Sequence, residues 1–253
     1  MFERILRTVD GQMKIRIPSM LNELTVGQLM DLQELAHTES NDLLIVSVLS
    51  GISIENLYNI RLLEDIQVFN ETIIALLNQV KNNYDPDLIP EKVIFKIPVK
   101  EEEIKQKGLI RSLKKPTPGY KEVTVEVIKN LSVEPAGAFM NARDIIAEEI
   151  NVSIKIYGEE NWSNNFTPPI SAACRLLAHY FYCRVYGEPY NEHKAEEFIP
   201  IVKKMSVTEA LPIASFFFLN YPFLSTVKIS FWHRVRQYSR KRREYKRLKN
   251  SNI

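Results

Sequence analysis

The segment from Ser206 to Lys249 combines patterns that few folds accommodate together. Ser206 and Glu209 stand at capping-box spacing, where a hydroxyl and a carboxylate satisfy the free amides of a helix start. The apolar block Leu211–Leu219 follows, in the first of two predicted C-terminal helices. Asn220-Tyr221-Pro222 breaks it. Beyond the break, Val227, Phe231, Val235, Tyr238, Tyr245 and Leu248 recur at three- and four-residue steps, the apolar stripe of a long terminal helix. Its other faces are crowded with cations. From Lys228 to Lys249 there are ten lysines and arginines against one acid, Glu244, although the whole chain carries only +2. The remainder is therefore net acidic. Like charges at this density destabilise an isolated helix, so a partner surface is needed. The expected arrangement docks the stripe on the chain's own domain or on a neighbouring subunit. The arginines then meet phosphate or an acidic protein surface. The expected contact residues are Val227, Phe231, Arg234, Val235, Tyr238, Arg240, Arg242, Arg243, Tyr245 and Arg247.

Composition excludes several classes. With 45% hydrophobic and 25% charged residues, the chain has enough apolar material for a sizeable core and is not disordered throughout. Cys174 and Cys183 lie nine residues apart in one predicted helix, about 180° around its axis, so they cannot bridge each other. A reducing compartment is the expectation. Met1–Gly11 has no signal-peptide core. No apolar run approaches the roughly 20 residues of a membrane span, so a soluble protein without a spanning segment is expected.

The rest reads as α+β, mainly helical. Met13–Pro18 alternates as a strand, and Thr25-Val-Gly-Gln28 is a second capping box opening a helix to about Ala36. Helices are predicted over Asn41–Ser50 and Leu62–Val80, with a helical turn at Ser53–Tyr58. Val93–Val99 echoes the first strand, and Lys121–Val127 has the same period. These predict a small antiparallel sheet of about three strands, in which the two echoing strands are natural partners. Glu101–Lys115 is a charged arm or loop. Further helices are predicted at Phe139–Val152, Pro169–Tyr186 and Glu192–Lys204, ahead of the two terminal ones. The regions so defined are a strand and helical cluster (1–90), a small β region with its arm (91–132) and a helical region (133–253).

Catalytic signatures are missing from the sequence. No phosphate-cradling glycine motif, nucleophile elbow or zinc-protease motif occurs. His179 and Cys183 share one helix face, yet nothing adjacent completes a metal site, and a packed, hydrogen-bonded imidazole is the stronger reading. The pairs Glu148-Glu149, Glu159-Glu160 and Glu196-Glu197 diverge by about 100° on a helix and read as solvated charges. The aromatics Tyr180, Phe181, Tyr182, Tyr186 and Tyr190 read as packing between helices rather than a base-stacking platform. No cofactor, metal or catalytic residue is expected.

Ile15-Arg-Ile-Pro-Ser-Met-Leu-Asn-Glu-Leu-Thr-Val-Gly-Gln-Leu-Met-Asp-Leu-Gln33 resembles the opening of tailed-bacteriophage tail and neck morphogenesis proteins, including tail-assembly-chaperone-like proteins. Those start with an I-x-[IL]-P strand, then W-[ND]-E-[LI]-T-[VL]-x-[QE], then a helix. Leu43–Ile60 continues the pattern, and Phe216–Tyr221 is similar to the ends of such proteins. Leu21 stands where they tend to carry tryptophan. The resemblance implies a non-enzymatic structural or assembly protein of a phage tail or neck. Its implied partners are other tail or neck subunits, with a homo-oligomeric ring and contact with DNA as further possibilities. It would work in the host cytoplasm, either as a transient chaperone or as a ring or adaptor subunit kept in the virion. A nucleic-acid-binding protein using the basic terminal helix is the rival reading.

Overall fold

In the computed structural model, residues 1–36, 42–62, 64–99 and 119–221 are described. The fold is α+β and mainly helical, with its strands in two separate antiparallel hairpins. In the first, β1 (Phe2–Thr8) pairs with β2 (Gly11–Ile17). Leu6, Ile15 and Ile17 are buried on one face, while Glu3 on the other bridges Lys14 and Arg16 at 2.5 Å each. In the second, β3 (Lys92–Pro98) pairs with β4 (Tyr120–Glu126). Val93, Phe95, Ile97 and Val125 face inward, and the exposed pairs Lys92–Glu126 and Lys96–Glu122 face out.

This corrects the expected three-stranded sheet. The two echoing segments, β2 and β3, do not pair with each other, and β1 was not anticipated. Each strand pairs with its neighbour in sequence, where the loop to be closed is shorter than the one from β2 to β3 and costs less chain entropy, and alternation alone does not choose between partners of equal period.

Helices α1 (Val26–Ala36), α2 (Asp42–Ser50), α3 (Ile54–Leu57), α4 (Glu64–Gln67) and α5 (Asn70–Val80) cover the first hairpin. The helix predicted over Leu62–Val80 is thus divided into α4 and α5, with Phe69 fully buried at the break and its ring edge-on to Phe2 at 5.6 Å. The predicted arm at Glu101–Lys115 lies outside the described residues.

The second half is α6 (Ala136–Tyr157), α7 (Trp162–Asn165), α8 (Ile170–Tyr186), α9 (Glu192–Glu197), α10 (Ile199–Val202) and α11 (Val207–Asn220). Helix α8 buries twelve of its 17 residues, too many for one face, so it must be enclosed on several sides. It packs against α6, α11, α9, α10, α1 and β4. Gly187 ends it at φ 66°, a left-handed conformation that suits glycine, and donates to Cys183 O at 2.8 Å. The helix predicted over Glu192–Lys204 is two short ones, with Pro200 in the first turn of the second. Cys174 and Cys183 are both free.

The first and last helical regions are joined at helix N-termini. The amides of Val26 and Gly27 donate to Met205 O (3.0 Å) and Lys203 O (2.8 Å), and Val207 N donates to Leu24 O (2.9 Å). Gly27 is needed for this approach, since a Cβ there would lie 3.1 Å from Lys203 O. The Thr25–Gln28 box forms as expected. Thr25 N donates to Gln28 Oε1 (3.1 Å), and Gln28 N donates to Thr25 Oγ1 (3.2 Å). Gln28 Nε2 also donates to Leu49 O at the end of α2, at 2.9 Å. At α11, Ser206 Oγ accepts from Thr208 N (3.2 Å), one residue earlier than the box pattern predicts. One buried cluster runs through all three predicted regions.

Gln28 therefore serves two helix ends at once. Gln28→Leu is expected to destabilise the chain by about 1–3 kcal/mol, because Leu49 O loses its donor along with the box. Chemical-denaturation midpoints of the two proteins measure this.

Candidate functional site

All ten expected contact residues, Val227, Phe231, Arg234, Val235, Tyr238, Arg240, Arg242, Arg243, Tyr245 and Arg247, lie outside the described residues, as does the predicted basic helix. The structure defines the platform from which that segment departs. Tyr221 closes α11, and its hydroxyl accepts from Leu131 N (3.0 Å) and donates to Asn130 Oδ1 (3.2 Å). One turn earlier, the Phe218 ring packs on Phe166 with centroids 5.6 Å apart.

Several surface depressions lie on the described body, and three of them bear on the candidate residues. The first, about 390 Å³, sits where the ends of β3 and β4 meet the end of α8 and the helices α9 and α10. Tyr120, Tyr182, Tyr186 and Phe198 line it with Lys194, Lys204 and Glu188. Lys204 Nζ lies 5.7 Å from the Tyr120 ring centroid, and Lys194 pairs with Glu188 at 2.8 Å. The second, about 330 Å³, is almost wholly apolar and lies between Leu29, Leu32, Ile45, Leu77 and Ile170. The third, about 270 Å³, runs along the C-terminal half of α6, past Glu149, Val152, Ser153 and Ile156 to Phe166. None of them converges the positioned acid, base and nucleophile that chemistry requires.

The groups flagged in the sequence as chemical candidates have structural partners. His179 is 5% exposed, and its Nδ1 lies 2.8 Å from the Tyr190 hydroxyl, which accepts from Asn141 Nδ2 at 2.6 Å. With Nδ1 unprotonated, the Tyr190 hydroxyl donates to it while accepting from Asn141 Nδ2. The imidazole is thus packed and hydrogen-bonded, as expected. Tyr190 also packs closely on Gly137, where an added Cβ would come to 2.5 Å from the ring. Tyr180 hydroxyl accepts from Ile128 N and donates to Ile128 O, both at 2.8 Å, pinning the end of β4 to α8. Burial pushes the Tyr180 phenol up to about 12. Cys174 is pushed up to about 11 by burial, which keeps it a thiol. Among the described residues, no His/Cys/Asp/Glu group is arranged to hold a metal ion. No helix there is long and apolar enough to cross a membrane.

Sequence reasoning missed the ion pair of Arg184 with Glu134. Arg184 Nε donates to Glu134 Oε1 at 2.7 Å, a second guanidinium nitrogen meets the same oxygen, and the carboxylate side chain is 3% exposed. Fifty residues separate the partners, so no local pattern announces the pair. Arg184 also covers the Tyr180 ring at 5.1 Å.

No protein-family model, curated protein or solved structure matches the chain.

His179 carries a pH signature. Burial lowers its pKa from the ordinary 6.5, outweighing the raising effect of Glu192 and Glu196. The unfolded chain then binds the proton more readily than the folded one. The contribution to stability is complete above about pH 6.5 and is lost as pH falls below that toward the folded value, at up to about 1.4 kcal/mol per pH unit. Denaturation midpoints between pH 7 and 5 should show this slope, and His179→Gln should flatten it.

Proposed function

We propose that this chain is a non-enzymatic assembly protein of a tailed bacteriophage, acting in tail or neck construction through contacts between subunits. The carrying observation is the separation of charge along the chain. Between Lys228 and Lys249, ten cations stand against Glu244 alone. From Val26 to Val80, Arg61 is the only lysine or arginine with a described side chain, against seven acids. Opposite charges at two places on one molecule favour contact between the basic end of one copy and the acid-rich helical region of the next. A contact of that kind is head-to-tail, and it closes into a ring when the rotation permits.

Supporting this reading is the phage-like opening, whose Thr25–Gln28 box is an actual helix start. The partner is a further copy or another tail or neck subunit. The protein works in the host cytoplasm during assembly and, as a ring or adaptor, is carried into the virion. The same ten cations favour a second reading, in which the terminal segment lies along nucleic-acid phosphates.

The two readings separate in one experiment. Replacing Arg240, Arg242, Arg243 and Arg247 with glutamine should reduce the mass of the native complex, measured by light scattering. The wild-type mass should survive addition of competing duplex DNA. If the wild-type chain is monomeric but binds DNA with a log–log salt slope of several units, each phosphate contact contributing about −0.9, the nucleic-acid reading replaces the assembly one.

A further inference from the structure

On its exposed face the second hairpin sorts charge by edge. Val99 N donates to Gly119 O and Val127 N donates to Glu91 O, both at 2.8 Å. Along an antiparallel ladder, residues bonded to the partner strand alternate with residues whose main-chain groups turn away. The odd-numbered residues of β3 and β4 therefore bond within the hairpin. Lys92, Ile94 and Lys96 on β3, and Glu122, Thr124 and Glu126 on β4, turn their main-chain groups toward the two outer edges. Arg184 Nη1, which donates to Glu126 O at 3.4 Å, reaches that oxygen from outside the hairpin. Among the described residues, no other strand pairs with either edge. The side chains of the same six residues are exposed, Ile94 at 55%.

An open edge beside an exposed isoleucine is a place where another strand can add. Charge decides which strand. Pairing β3 with β3 of a second copy, antiparallel and centred on Ile94, sets Lys92 opposite Lys96. Pairing β4 with β4, centred on Thr124, sets Glu122 opposite Glu126. Like charges directly opposite are destabilising, so both symmetric pairings are disfavoured. The mixed pairing is not. In the hairpin's own register, β3 of one copy against β4 of the next sets Lys92 opposite Glu126, Ile94 opposite Thr124 and Lys96 opposite Glu122. The two charged pairs already lie 3.7 Å and 3.5 Å apart inside the hairpin. Directly opposed residues share a face of the sheet, so the exposed faces of the two hairpins stay aligned.

We propose that the outer edge of β3 binds the outer edge of β4 on a second copy, joining the two hairpins into one continuous antiparallel sheet. Main-chain hydrogen bonds supply the attachment, and the lysine–glutamate pairs select this pairing over the symmetric ones. The contact is head-to-tail, because each copy still offers one basic and one acidic edge to further copies. Strand twist turns each added hairpin relative to the last, so successive copies are related by a rotation. The choice of a second copy as occupant rests on the reading of the chain as an assembly subunit. The contact itself uses none of the C-terminal cations.

The test uses the full chain. Lys92→Glu/Lys96→Glu makes both edges acidic, and Glu122→Lys/Glu126→Lys makes both basic. By light scattering, each variant alone is expected to show roughly half the wild-type complex mass or less. Mixed in equal amounts, the two should recover most of that mass, because every contact between unlike copies is complementary. Damage to the hairpin itself would persist in the mixture, since each copy keeps its internal like-charge pairs. Ile94→Pro removes an N–H that β4 does not use, and it should lower the mass while the circular dichroism spectrum stays unchanged. Wild-type mass in either charge variant alone, or no recovery on mixing, would overturn the edge contact. A monomeric wild-type chain overturns it together with the assembly reading. Full mass in the edge variants with lost mass in the arginine-to-glutamine chain removes the edge contact alone, and the opposite result leaves it standing and removes the contact through the basic end.

Discussion

The fold depends on two helix N-termini being brought together without leaving their amides empty. A helix start exposes several free N–H groups and partial positive charge, so two starts side by side repel unless acceptors lie between them. Here the acceptors are main-chain carbonyls. Lys203 O and Met205 O, from the turn after α10, take the Val26 and Gly27 amides, and Leu24 O takes the Val207 amide. A side chain at residue 27 would crowd the exchange, since a Cβ there would lie 3.1 Å from Lys203 O. It also fixes chain order in space, holding the start of α1 against the start of α11 across about 180 residues of sequence.

Around that junction α8 acts as the axle. A helix enclosed on several sides has nowhere to hide polar groups, so each one must be matched. Tyr180 bonds both main-chain groups of Ile128, Arg184 bonds Glu134, and His179 bonds Tyr190. These matches serve a second purpose, because each ties α8 to a different element: the end of β4, the turn before α6, and the loop after α8 itself. Removing one partner leaves the other buried and unpaired, which costs far more than the pair contributes. The second hairpin is held mainly by rings, with Phe95 5.0 Å from Phe181 and 5.5 Å from Phe198.

What could be read from the sequence was what is decided within about four residues. The Thr25–Gln28 box, the stop at Gly187, the start of α11 at Ser206 and the buried, bonded His179 all follow from local chemistry, and they appear as expected. What was lost was decided at long range. The echo between Ile15-Arg-Ile and Ile94-Phe-Lys-Ile reflects the shared need of each strand to bury alternate residues, and it carries no information about partners. Gln28 reaching Leu49, Arg184 reaching Glu134 and Asn83 reaching Val207 are contacts between residues 21, 50 and 124 positions apart. The surface depressions were equally invisible, since those lining the candidate residues are assembled from several elements. The expected contact residues fall outside the described part of the chain, so their placement rests on pattern and on where α11 releases the chain.

Charge explains why such a chain would gather ten of its 33 lysines and arginines on one short stretch. Ten positive groups spread over a body of this size would neutralise its acidic faces and weaken any preference for one mating orientation. Collected on one short stretch, they make a strong local field that falls off within about 10 Å at moderate salt. That range is too short to act on a distant partner and long enough to orient one already in contact. An anchored stretch presents this field at a constant angle, whereas one on a slack tether samples all angles and imposes no register. A head-to-tail contact closes into a ring only if every subunit repeats the same rotation. The rigidity of the attachment, more than the number of cations, therefore decides whether the charge builds a defined assembly or an indiscriminate one.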